Sequence, residues 1–454
     1  MGLSWLMRLN MKDQSFLQKS MLLIVSTLIT GILGFSFTIV LSREIGPEGM
    51  GLFSLVFPIN SLLLSIISGG MMIAISKIVA EYVAKDEYNN VRKCMNTALF
   101  FNLITSMFVI GIGYLLSFHI SKYVINDVRT LHAFRLVLLA SIFMTLSNTY
   151  KGYFFGTMKV TTPAYIDIFE KLLRILLILI IFRRYSLADV TSYVTVAFLV
   201  FCIGELASLI FFFIYYRLDL REYDNDTSEK TKTVLQYLGN IFAISIPLMI
   251  TELIASSLYT VSALMIPRRL VAANFDYNAA LELIGKFISM SMQIVFFPMI
   301  IIGAISTILI PDLSSSISKK DNKSIELRIR SVMRAAIVIG VIVLVLFMLF
   351  GNSIGELIYK RDDLGIYIKF LALCAPPLYV SAITRSILNG LGKQKIILRN
   401  ALVISVIQVV LLYTLIGIPS IHIFGFGFTI IITSFIAIFI NVREIKKDIQ
   451  VRIL

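Results

Sequence analysis

Long apolar segments alternate with short polar ones along the chain, near 20–41, 51–74, 96–117, 134–154, 162–182, 189–216, 236–264, 286–310, 333–351, 365–388, 399–418 and 425–442. Each can cross a bilayer as one helix, which takes ~20 residues. The run at 336–350 (AIVIGVIVLVLFMLF) has no polar position, so a helix there is apolar on every side and calls for lipid or other helices all round. The pattern predicts an all-α integral membrane protein with about twelve transmembrane helices.

Composition supports this: 58% of the 454 residues are hydrophobic and only 15% charged, with a mean hydropathy of +0.88, where a soluble domain carries roughly a quarter charged residues. Twelve crossings take about 240–300 residues, leaving short loops and no room for a soluble catalytic domain. No Walker or GxSxG motif accompanies the spans, so neither direct ATP use nor hydrolase activity is expected.

The net charge of +14 would suggest nucleic acid in a soluble protein. Here the basic residues are spread over short loops and act as topology signals. With a cytoplasmic N-terminus, the inside segments hold 27 Lys and Arg and the outside loops 12. That excess places both termini on the cytoplasmic side of the plasma membrane. Residues 1–20 lack a small-residue cleavage site, so the first span is expected to remain as an anchor.

The polar stretch 217–235 divides the chain almost in half. The predicted organisation is a cytoplasmic segment 1–19, a six-helix bundle 20–216, a cytoplasmic linker 217–235, a second six-helix bundle 236–442 and a cytoplasmic tail 443–454. The halves echo each other: Lys151 with Arg385, Gly156 with Gly390 and Lys159 with Lys393 share one offset of 234 residues, and FPIN (57–60) recurs as FPMI (297–300). Equal offsets in equivalent places argue for duplication. Six spans per half keep the repeats parallel, related by a pseudo-twofold axis along the membrane normal, with a cavity expected at their interface.

Intramembrane charges are the candidate chemistry. Glu170 and Arg174 are four residues apart on the fifth span, so they share a helix face and can pair. Arg174 lies about 18 Å into a core of ~30 Å, a depth tolerable only if the guanidinium is paired or faces water. Two readings stand open: a structural ion pair, or a pair whose arginine also presents donors to a diphosphate. Glu205 and Glu252, on the sixth and seventh spans, have no basic residue within a turn. Each is either a protonated acid hydrogen-bonded between helices or an ion-coupling group driven by a proton or sodium gradient. Arg43, at the outer end of the first span, is either a snorkelling arginine or a cavity cation, and Lys286 is a third candidate cation. His119, His132 and His422 fall near span ends without metal-ligand spacing, and Cys94, Cys202 and Cys374 stand far apart, so no metal, cofactor or disulfide framework is expected. Gly69-Gly70, inside the second segment, marks a bend or a close helix contact.

Two segments carry a specific resemblance: LSREIGPEGMGLFSLVFPINSLLLSIISGGMMIAISKIVAEY (41–82) and YKGYFFGTMKVTTPAYIDIFEKLLR (150–174). Both resemble the stage V sporulation protein B branch of the multidrug/oligosaccharidyl-lipid/polysaccharide exporter superfamily, which is related to lipid II flippases. The resemblance covers most of the chain, although many members of the branch look like fourteen-span proteins. It implies two six-helix bundles that move a lipid-linked oligosaccharide or cell-wall precursor, on a polyprenyl diphosphate carrier, by alternating access among membrane lipids. It also implies that Arg43 faces the central cavity, as the matching arginine of lipid II flippases does. The rival within the superfamily is a cation-coupled multidrug exporter. Such exporters usually carry an acid deep in the first span, and residues 20–41 contain none. A rival of another class is a membrane scaffold that recruits wall-synthesis enzymes without transporting anything.

Overall fold

In the computed structural model, residues 16–185, 189–220, 233–318 and 322–448 are described, and among them there are helices and no strands. The expected linker 217–235, the N-terminal segment and the tail fall largely outside the described residues.

Among the described residues, nine apolar helical stretches are long enough to cross a membrane. One of them, Ile24–Val83, is 60 residues long and holds two crossings. The chain turns between them at Gly46 (φ 68°, ψ −177°), a positive φ that glycine adopts without strain, and Pro47 follows with no N–H to continue the ladder. The pair Gly365–Ala372 and Ala375–Gly390, bent by 45°, makes another crossing. Thr161–Arg184 completes twelve. It is less apolar than the rest because Asp167, Glu170, Lys171 and Arg174 lie within it.

The second crossing breaks at Gly70 (φ 71°), where a Cβ would lie 2.6 Å from Leu248 Cβ and 2.8 Å from the Ser245 carbonyl oxygen. Both sequence readings of this glycine pair hold, since a bend and a close helix contact occur together.

The helices pack as two compact units. One holds Val56–Ser257 with the first span as far as Val40; the other holds Leu41–Leu55 with the chain from Leu258 onward. This division differs at two places from the expected 20–216 and 236–442. Leu41–Leu55 packs with the second unit because the backbones meet closely there: a Cβ on Gly285 would fall on the Pro47 carbonyl and one on Gly51 on the Leu281 carbonyl. The helix Val234–Ala272 belongs to the first unit up to Ser257. There Tyr237 donates to Asn90 Oδ1 at 2.5 Å and its ring lies edge-on to Tyr82.

The repeat is visible in packing as well as in sequence. Gly156 ends the helix Leu131–Gly156, and a Cβ there would meet the Ser76 carbonyl oxygen and Val79. Gly390 ends Ala375–Gly390, and its Cβ would meet Leu313 and the Ile310 carbonyl oxygen. The contacts of Gly156 thus recur at Gly390 at the 234-residue offset, so the two units share one local plan.

Candidate functional site

The helix Thr161–Arg184 has two unlike faces. Tyr165, Phe169, Leu172, Leu176 and Leu179 are exposed on one side, at spacings of three and four that form a stripe suited to lipid. Asp167, Glu170, Lys171 and Arg174 follow i, i+3, i+4, i+7 spacing on another side and form a charged ladder.

The deep end of the ladder is closed. Arg174 is 5% exposed and Glu170 3%. The arginine pairs through Nε with Glu170 and through Nη2 with Glu205 of the helix Val190–Leu220, the latter at 2.6 Å. Its guanidinium carbon sits 4.1 Å from the Phe201 ring centroid, a cation–π contact that favours a desolvated guanidinium. Gly204 makes room for this, since a Cβ there would lie 2.6 Å from Arg174 Nε.

The shallow end is open. Lys171 lies 2.7 Å from Glu170 with its side chain 29% exposed, and Lys151 of the fourth crossing lies 2.8 Å from Asp167 with its side chain 23% exposed. Lys171 is ten residues beyond Thr161, or about 15 Å along the helix. An ammonium at that depth costs at least ~2.5 kcal/mol against hydrocarbon unless it is paired or meets water, and Glu170 supplies the pairing. Closer to the helix start, Asp219 binds both Lys159 and the Tyr153 hydroxyl, the latter at 2.7 Å.

The structure thus brings Glu170, Arg174 and Glu205 together, giving Glu205, which has no basic residue within a turn of its own helix, a basic partner. Its partner lies on the neighbouring helix, out of reach of any i, i+4 reasoning. Glu252 is apart from this group, in the same unit, and accepts from the Gly70 N–H at 3.3 Å. Arg43 and Lys286 belong to the second unit and are occupied. Arg43 donates from Nε and Nη2 to the carbonyls of Ile358 and Leu357, at 2.8 and 3.1 Å. It thereby caps the end of the helix Asn322–Tyr359. Lys286 pairs with Glu282 at 2.6 Å and Asp363 at 2.8 Å. Arg361, hydrogen-bonded to Asp363 at 2.9 and 2.8 Å, is the main cause holding that carboxyl down to about 2. Partial burial opposes the shift and Lys286 adds to it.

Lys171 and Lys151 are the site residues that sequence reasoning passed over. Lys171 carried a signal, as a second cation inside an apolar segment, but exposure cannot be read from spacing. Among the described residues no group of three His, Cys, Asp or Glu could hold a metal ion. The three cysteines are buried and none is in a disulfide.

Twelve apolar crossings among the described residues, in two repeated bundles with a charged ladder on the fifth, define a multi-pass membrane transporter. Solved structures share the fold. An inward-facing multidrug resistance MATE family transporter of the MOP superfamily aligns with a TM-score of 0.70 over 96% of each chain at 15% identity. An outward-facing one aligns at 0.65, over 95% of this chain and 96% of the other, also at 15% identity. The chain belongs to the polysaccharide biosynthesis protein family, whose description matches residues 16–316. Relatives include stage V sporulation protein B of Bacillus subtilis (strain 168), 23% identical over 98% of this chain and 86% of the relative. Lipid II flippase MurJ of the same organism is 24% identical over 88% of this chain and 77% of the relative.

Proposed function

We propose that this protein is a flippase that carries a polyprenyl diphosphate-linked saccharide across the plasma membrane by alternating access. The observation that carries the reading is the pair of half-buried ammoniums, Lys151 and Lys171, on the charged ladder of the first unit. A diphosphate headgroup forms charge-assisted hydrogen bonds with such groups. Glu170 holds Lys171 in place, and the buried Arg174 in turn fixes Glu170. In this reading Arg174 positions the site and the lysines touch the cargo. Membership of a polysaccharide biosynthesis family and likeness to a lipid II flippase support the cargo class.

The distribution of basic residues supports an orientation with both termini cytoplasmic. In that orientation an impermeant reagent added outside labels a single cysteine at Asp363 and leaves one at Asp226 untouched. Coupling to a proton or sodium gradient through the exposed Glu252 fits the same scheme, and Glu252→Gln would then remove the ion dependence of transport.

The direct test is a headgroup-accessibility assay in proteoliposomes with a panel of fluorescent polyprenyl diphosphate-linked glycans. Reconstituted protein should accelerate exchange of at least one glycan between leaflets. Lys171→Gln should slow that exchange at least about ten-fold, the value of one charge-assisted hydrogen bond. No acceleration for any lipid-linked glycan would overturn the proposal.

A further inference from the structure

The second unit contains a cavity of about 360 Å³ among its eighth, tenth, eleventh and twelfth crossings, with polar side chains set in a largely apolar lining. Its lining includes Arg385, Ser405, Gln408 and Ser434, with Phe296 and Phe426 supplying aromatic surface. The 234-residue offset relates this cavity to the charged ladder of the first unit. Arg385 stands where Lys151 does, Ser405 where Lys171 does and Gln408 where Arg174 does. Ala401 replaces Asp167 and Ile404 replaces Glu170. Both carboxylates of the ladder helix are therefore lost from the second copy, and its two cations have become an amide and a hydroxyl.

The replacements leave polar groups without protein partners. Arg385, Ser405, Gln408 and Ser434 make no hydrogen bond or ion pair among the described residues. Ser434 is only 4% exposed. Closer to the helix ends in the same lining, Asn400 donates to Asn441 Oδ1 at 3.0 Å and Asn441 donates to Thr384 at 3.1 Å. Leaving an amide and two hydroxyls unpaired within a bilayer is unfavourable by about 1–3 kcal/mol for each group, so water or a ligand must meet them. The volume lies within the range of small-molecule sites, ~300–1,000 Å³.

We propose that this cavity binds an uncharged, hydroxyl-bearing sugar of the cargo. Amide and hydroxyl groups both donate and accept, which matches the vicinal hydroxyls and acetamido groups of a pyranose. Ring faces of Phe296 and Phe426 offer apolar surface to the C–H faces of such a ring. Arg385, freed from the carboxylate that holds its counterpart Lys151, adds donors at the rim. Duplication followed by loss of charge thus gives one lobe that reads phosphate and one that reads sugar.

The inference rests on the flippase reading, and one binding experiment separates the two. The probes are short-chain polyprenyl diphosphates, either bare or carrying one of several N-acetylhexosamine disaccharides, and affinity is measured for purified full-length protein in nanodiscs. The parental protein should bind at least one sugar-bearing probe more tightly than the bare diphosphate. Gln408→Leu, which removes an unpaired amide from a membrane helix and should fold, should lower affinity for that probe about five-fold, as expected for one or two neutral hydrogen bonds. It should leave the bare diphosphate unaffected. Ser405→Ala should act in the same direction, and Lys171→Gln should weaken all probes. If no probe binds the parental protein, the flippase reading itself fails. If sugar-bearing probes hold no advantage, or if Gln408→Leu weakens bare and sugar-bearing probes alike or neither, the sugar site is overturned while the flippase reading stands.

Discussion

Arg174 donates through Nη2 to the Glu205 carboxylate at 2.6 Å, joining helices whose paired residues lie 31 positions apart in the chain. With Glu170 on the other side, the guanidinium is held between two acids of the same lobe. Two glutamates and the two cations Lys171 and Arg174 leave the group neutral overall, which is what makes it tolerable inside a membrane. In the proposed flippase reading, an arginine so enclosed acts through its neighbours rather than on the cargo.

Gly204 is the packing condition for that arrangement. A Cβ there would lie 2.6 Å from Arg174 Nε, 2.8 Å from Arg174 Cγ and 3.1 Å from Glu170 Oε1. Glycine to alanine in a helix ordinarily gains up to ~1 kcal/mol, but overpacking a pinned side chain loses about 1–3. Gly204→Val should therefore lower the thermal midpoint of the detergent-solubilised protein and slow flipping. A raised midpoint would mean that the guanidinium is free to move aside.

Arg43 separates the cap from the cavity reading implied by family resemblance. Its two donors serve the last carbonyls of the helix Asn322–Tyr359. Arg43→Ala should lower stability by about 1 kcal/mol, the net worth of such bonds at an exposed helix end. It should not change the flipping rate per folded molecule. A fall in rate at an unchanged thermal midpoint would return Arg43 to the cavity.

Asp363 gives the second unit a defined pH dependence. Its carboxyl is held at about 2, chiefly by Arg361, below the ordinary value of about 3.9 in an unfolded chain. A group depressed on folding contributes stability that is present above its unfolded pKa and is lost as pH falls through its folded one. The loss should run from about pH 4 to about pH 2 and be absent in Asp363→Asn. Thermal melts of parental and variant protein should differ at neutral pH and converge at the acid end of that window. Curves that stay parallel throughout would show that Asp363 makes no such contribution.

How far the sequence carried depended on the range of each interaction. The crossings were legible because a bilayer demands long apolar runs, and even the charged fifth helix kept enough of one to be recognised. The pairing of Glu170 with Arg174 was legible because it is local. Partners across helices were not: Glu205 looked unpaired because Arg174 is remote in sequence. Arg43 looked like a free cation because its acceptors, Leu357 and Ile358, lie 314 and 315 positions away. Lys286 has one local partner, Glu282 four residues before it, and a second, Asp363, that lies far away in the chain. The expected bundles followed the repeat, whereas Leu41–Leu55 crosses to the second unit through backbone contacts at Gly51 and Gly285 that no periodicity reveals.

The role of the Glu170–Arg174–Glu205 group can be settled by removing its charges together. Arg174→Ala alone strands two buried carboxylates, and breaking a buried pair in this way is destabilising by about 3–5 kcal/mol. Loss of transport in that variant would then report folding and nothing more. Replacing all three residues by Gln removes every uncompensated charge while preserving size and hydrogen-bonding capacity. Neutral replacements of buried ion clusters are often close to neutral for stability, so this variant should fold and reach the membrane. It should nonetheless flip lipid-linked glycan at least ten-fold more slowly, because Lys171 loses the carboxylate that sits 2.7 Å away and orients it. Restoring only Glu170 in that background should recover part of the rate if orientation of Lys171 is what the cluster provides. If the triple variant instead flips at the parental rate, the cluster is a staple between the fifth and sixth helices, and headgroup recognition rests on Lys151 and Lys171 without it.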